Sequence, residues 1–97
     1  MKVFAFGTGS KPLTDEQKQK YMPHEVPQTL KLYLDGKIEQ FWFRGDTPGV
    51  VFYMNVESLD EAKTLVGALP LATDGFLKFE YIPVGPLMPL GMLIQGK

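Results

Sequence analysis

The residues Ile38–Arg44, IEQFWFR, hold the chain's single Trp and crowd three aromatics beside an arginine. β-Branched and aromatic side chains at this density, bracketed by Gly36 and by Gly45-Asp46, predict a strand. Alternation sends Ile38, Gln40, Trp42 and Arg44 to one face and Glu39, Phe41 and Phe43 to the other, so both faces are partly apolar. Val50–Val56 repeats the pattern, with Phe52 and Met54 on one side and Val51 and Tyr53 on the other. The intervening Gly45-Asp46-Thr47-Pro48-Gly49 is a turn-rich loop that suits an antiparallel hairpin. A sheet buried on one side only would alternate cleanly with polar residues on its free face, and neither strand does. A chain built on this hairpin must cover both faces of its sheet.

The remaining elements follow in the order strand, helix, hairpin, helix, strand. Val3–Phe6 opens as a strand and stops at Gly7-Thr8-Gly9-Ser10, whose spacing lacks the third glycine of a phosphate-binding loop. Thr14 stands three residues before Gln17, with Asp15 and Glu16 between them, which is a capping-box helix start. Pro23 and Pro27 each remove a backbone donor and predict a break near residues 22–26. A second helical segment beyond it carries Val26, Leu30, Tyr33 and Leu34 as an apolar stripe ending at Asp35-Gly36. Ser58-Leu59-Asp60-Glu61 caps another helix, with Leu59, Ala62, Val66 and Leu69 on one face, and Gly67 and Pro70 end it. The last strand, Phe76–Ile82, sets Leu77, Phe79 and Tyr81 against Lys78 and Glu80, an edge-strand pattern.

Two split β-α-β units predict an α+β, ferredoxin-like βαββαβ sandwich: a four-stranded antiparallel sheet with two helices on one face. The helix-free face would still expose several of Val3, Ala5, Trp42, Val51 and Tyr53, or their alternates in the opposite phase, which predicts a two-fold, sheet-to-sheet dimer forming an α+β barrel. Residues 1–97 make one domain, able to bury roughly two-thirds of its unfolded surface, and 44% hydrophobic residues suffice to fill a core. From residue 83 onward the chain is apolar but too rich in Pro and Gly for a helix, so it reads as an extended tail packing on a partner subunit, or else folding back on its own chain.

Composition narrows the chemistry. A net charge of −1 gives no electrostatic reason to expect nucleic acid or an anionic membrane as a partner. No window of ~20 residues stays apolar without prolines or charges, and the apolar run after Lys2 is too short for a signal peptide, so a cytoplasmic location is expected. With no Cys and one His, thiolate chemistry and a cysteine metal site are excluded, and no metal centre is expected within one chain.

Val56-Glu57-Ser58, Asp60-Glu61, Gly67-Ala68-Leu69-Pro70-Leu71, Glu80-Tyr81-Ile82-Pro83 and Gly85-Pro86-Leu87 resemble the second half of muconolactone isomerase and its relatives. The Asp35-Gly36-Lys37 turn before Trp42 is similar too, and the resemblance spans roughly residues 14–87. It implies membership of the dimeric α+β barrel group, a homodimer or larger ring, and cofactor-free isomerisation of a small lactone. No catalytic signature transfers residue by residue, and the cysteine that some relatives use is absent.

Isomerising an unsaturated lactone takes a proton from one carbon and returns it at another. His24 and Glu25, at the proline-flanked break, are the acid/base candidates, although on a continuous helix His24 would share a solvated face with Gln28 and Lys31. Arg44 could clamp a substrate carboxylate, or pair with Asp46 or Glu39 at a strand end. Tyr33, Trp42 and Tyr53 could line a pocket and donate to an oxyanion, or simply pack, and an inward Gln40 needs a ligand or dimer partner. The chain thus reads as a small-molecule enzyme, either an isomerase or a cofactor-independent monooxygenase, with a non-catalytic ligand-binding or assembly protein as the alternative.

Overall fold

The structure, a computed structural model, describes residues 1–85. The elements run β1 (Lys2–Gly9), α1 (Asp15–Leu34), β2 (Ile38–Phe43), β3 (Gly49–Asn55), α2 (Leu59–Gly67), the single turn α3 (Pro70–Thr73) and β4 (Leu77–Val84). All strand pairs are antiparallel and the sheet order is β2-β3-β1-β4, which is the ferredoxin-like arrangement expected from the sequence. β4 is an edge strand, which lets Pro83 sit in it without breaking an interior ladder. The tail beyond Gly85 lies outside the described residues.

Both helix starts follow their local chemistry. The Thr14 hydroxyl accepts from the Gln17 amide at 3.1 Å, and the Gln17 side chain accepts from the Thr14 amide at 2.9 Å. Ser58 accepts from the Glu61 amide at 3.1 Å, while the Glu61 carboxylate accepts from the Glu57 amide at 3.2 Å. Gly67 ends α2, and Pro70, rather than closing that helix, opens α3 at a position where its missing N–H costs nothing.

The break expected near residues 22–26 does not occur, and α1 runs for 20 residues through both prolines. Pro23 and Pro27 lie four residues apart, so the carbonyls that lose a donor, those of Gln19 and Pro23, both belong to exposed residues where solvent can replace it. Tertiary contacts hold the helix on either side of Pro23: the Tyr21 hydroxyl donates to Asp74 at 2.6 Å, and Glu25 accepts from the Leu71 amide at 2.9 Å.

The core lies between α2 and the middle of the sheet, where Val3, Ala5, Ile38, Phe52, Met54, Val56, Ala62, Val66 and Leu69 are buried together. Register corrects the expected phase of β1: Val3 pairs with Met54 and Ala5 with Phe52, so both face the helices, and Phe4 and Phe6 stand on the open face instead. Gly7 continues the helix-side row, since a Cβ there would come within 2.7 Å of the Phe79 ring. β2 is corrected too. A bulge between Ile38 and Gln40 shifts the alternation, so Ile38 joins Phe41 and Phe43 on the helix side, while Gln40 and Trp42 pair with Tyr53 and Val51 on the other. On that open face the Phe4 ring lies 4.8 Å from the Tyr53 ring and 5.8 Å from the Phe6 ring.

Met54 is completely buried, and Met54→Ala should lower stability by about 2–5 kcal/mol. Leu34→Ala, at an 81% exposed position, should stay within about 0.5 kcal/mol of the native chain. Urea unfolding midpoints at unchanged slope measure both.

Candidate functional site

α1 does not press onto the sheet as α2 does. Its residues Met22, Glu25, Val26, Thr29 and Leu30 recur at i, i+3, i+4, i+7 and i+8, so the helix presents one face to β2 and β3. Between that face and the sheet lies a hollow of about 320 Å³, whose opposite wall is Phe41, Trp42 and Phe43 of β2 with Val50 and Phe52 of β3, and whose end is Leu71. Val26 and Leu30 stay 48% and 44% exposed because they front this space rather than a packed core. A second hollow of about 380 Å³ adjoins it, sharing Met22, Phe43, Val50 and Leu71 and bordered by Lys11 and Lys18.

Glu25 is the buried charged side chain among the described residues, at 7% exposure. Its Oε1 accepts from the Leu71 N–H at 2.9 Å. Glu25 itself borders the hollow. Burial raises the carboxyl above its ordinary value of 4.5, while the Leu71 amide and the Thr29 side chain pull it partly back. The Thr29 hydroxyl donates to the Glu25 main-chain carbonyl at 2.8 Å. The site therefore offers one proton-exchanging group and one hydroxyl in an otherwise apolar, aromatic wall.

The other residues singled out from the sequence are dispersed. His24 lies on the exposed side of α1 with Gln28 and Lys31, and does not border the hollow. Trp42 borders it from the edge strand, while Tyr33 packs edge-on against Phe41 at 5.3 Å without lining it. Gln40 and Tyr53 pair with each other on the open face, where the Lys2 ammonium sits 5.9 Å from the Tyr53 ring centroid. Arg44 is held at the corner of that face, donating to both Asp46 oxygens at 3.0 and 2.7 Å and to Thr8 at 2.9 Å. That pairing holds Asp46 below the usual carboxylate range and Arg44 above its own.

Thr29, Met22, Phe41, Phe43 and Leu71 were not read from the sequence as site residues. The first two are visible as a helical face only if the prolines are ignored, and nothing local marks Leu71.

This architecture matches a solved structure, the 5-chloro-2-hydroxyhydroquinone dehydrochlorinase from Burkholderia phenoliruptrix AC1100 in complex with 2,5-dihydroxybenzoquinone. The two chains are 16% identical and superpose with a TM-score of 0.69 over 88% of this chain and 94% of that one. The match is one of fold. No protein-family model matches the chain, and no curated protein does. Among the described residues no helix is long and apolar enough to cross a membrane.

A carboxyl raised in the folded state makes folding take up a proton. The stability associated with the protonated form is fully present below the unfolded value of 4.5 and is lost as pH rises through the raised folded value. Glu25→Gln keeps an acceptor for Leu71 and does not titrate. Its unfolding free energy relative to the native chain should therefore climb as pH rises from below 4.5 toward neutrality, then level off. Denaturant titrations across that range read the difference, and a flat one would mean that Glu25 is not desolvated.

Proposed function

We propose that the chain is an enzyme that moves a proton within a small cyclic substrate, with Glu25 as the acid/base. The observation that carries this reading is a buried carboxyl, raised by desolvation, on the wall of an apolar hollow. A carboxylate accepts a proton from the substrate and its acid form returns one, and a raised value favours the second half of that cycle near neutral pH.

In an unsaturated lactone, Glu25 would take the proton from the ring carbon next to the double bond, leaving the negative charge spread onto the carbonyl oxygen as an enolate. After the acid form exchanges with solvent, it would return a proton at the far end of the allylic system. No co-reactant is consumed and the double bond shifts. The Thr29 hydroxyl, on the same wall, could donate to the enolate oxygen only by turning away from the Glu25 main-chain carbonyl that it holds in the free protein. Two likenesses support the substrate class: the sequence resembles muconolactone isomerase, and the dehydrochlorinase of the same fold holds a dihydroxybenzoquinone. The cytoplasm is the proposed compartment, consistent with a chain whose apolar runs are all short or broken by glycine, proline or charge.

We further propose that two copies close sheet against sheet. Phe4, Phe6, Val51 and Tyr53, only half-buried in one protomer, share the open face with the exposed Trp42 and Ile82, more apolar surface than a solitary chain usually leaves wet. The native chain should sediment at a two-chain mass or a multiple of it. Phe6→Lys, whose ammonium would meet Glu80 across the strand pair, should sediment as a folded monomer. A native chain that is monomeric at micromolar concentration overturns the assembly.

α-Angelica lactone and muconolactone in deuterated buffer test the reaction, with NMR following the double-bond shift and deuterium uptake. Glu25→Gln should lower the rate by about 10²–10⁴, and His24→Ala should leave it at the native level. Oxygen uptake without deuterium exchange would point to a cofactor-independent oxygenase using the same hollow. Turnover unchanged by Glu25→Gln, or absent from the native protein, would remove the isomerase and favour a ligand-binding role.

A further inference from the structure

The proton-transfer reading leaves open which rings the hollow admits, and its lining bears on that. Among the described residues its polar side chains are Glu25 and Thr29, and no Lys, Arg or His borders it. The guanidinium that a substrate acid would need is committed elsewhere, since Arg44 forks onto Asp46 and Thr8 at the open face.

Two lysines, Lys11 and Lys18, border the adjoining hollow and not this one. Lys11 lies 4.5 Å from the Phe76 ring centroid, and Lys18 precedes Glu25 by two helical turns, about 10 Å along the axis. An acid bound beside Glu25 would bring a second negative charge against a carboxylate that has a single N–H partner and no counter-ion in the lining. A hydroxyl, by contrast, can donate to the Glu25 carboxylate, and the rings of Phe41 and Phe52 offer flat apolar contact to a planar partner.

We infer that the hollow selects an uncharged planar ring bearing a hydroxyl or carbonyl group, and rejects rings that carry a carboxylate next to the reacting carbons. This rests on Glu25 being the reactive group, and it separates a neutral butenolide, phenol or quinone from muconolactone, which is an acid.

The probes are 2-naphthol and 2-naphthoic acid, which share a ring system and differ in charge at neutral pH. Binding to the intact chain is read by calorimetry and by the fluorescence of Trp42, the chain's single Trp, on the edge of the hollow. The native protein should bind naphthol about tenfold or more tightly than naphthoate. Glu25→Gln should shrink that ratio by strengthening naphthoate. Leu30→Lys, at a lining position already 44% exposed, should reverse it even if the first variant folds poorly. Naphthoate binding the native protein as well as naphthol does, or neither probe binding, overturns the selection. Because these are binding measurements, a naphthol preference that persists while Glu25→Gln leaves lactone turnover intact would sink the catalytic role of Glu25 and spare the selectivity. Loss of turnover without any preference would do the reverse.

Discussion

A single buried hydrogen bond, from the Leu71 amide to the Glu25 carboxylate, fastens the middle of α1 over the sheet. Every other α1 side chain is partly or wholly exposed; Leu32 packs against the core, while the middle of the helix stands off the sheet. The consequence is a hollow rather than a core beneath it. Tyr21 to Asp74 adds a second tether one turn earlier, again to the segment around α3. That short segment, opened by Pro70, thus positions the helix on which the candidate site depends.

The two halves of the helix layer do different work. α2 brings Ala62, Val66 and Leu69 onto Val3, Ala5, Phe52 and Met54, and this side holds the close-packed, stabilising part of the molecule. α1 stands over the β2 and β3 half, where Phe41 and Phe43 front space instead of interlocking side chains. A carboxyl placed in such a space loses water without gaining a counter-ion, and that raises its proton affinity. Fold, tether and chemistry are therefore consequences of one another at Glu25.

Much of the fold was legible because its signals are local. Thr14 with Gln17 and Ser58 with Glu61 mark helix starts through side chains that reach their own backbone. The Gly45–Gly49 loop marks the hairpin, and Lys78 with Glu80 marks an edge strand. What misled were features whose outcome depends on neighbours. The prolines of α1 argue for a break, but contacts to Asp74 and Leu71 hold the helix and its exposed carbonyls can turn to solvent. Val3-Phe4-Ala5-Phe6 is apolar in both phases, so only pairing with β3 decides which row faces the helices. The bulge near Glu39 has no sequence marker and moves Ile38 to the other face.

Of the candidate site, Glu25 was legible as a titratable residue beside the prolines, and Trp42 as an aromatic on the hairpin. Their surroundings were not, since the Leu71 amide lies 46 positions away in sequence. By itself the sequence determined the order of elements, the antiparallel hairpin and the greasiness of both sheet faces, because these follow from periodicity, capping and turn chemistry within a few residues. Only the tertiary structure decided that Arg44 is bound to Asp46, that His24 faces solvent and that Glu25 is largely buried. Burial and hydrogen bonding are set by residues distant in the chain, and they determine what each ionisable group can do.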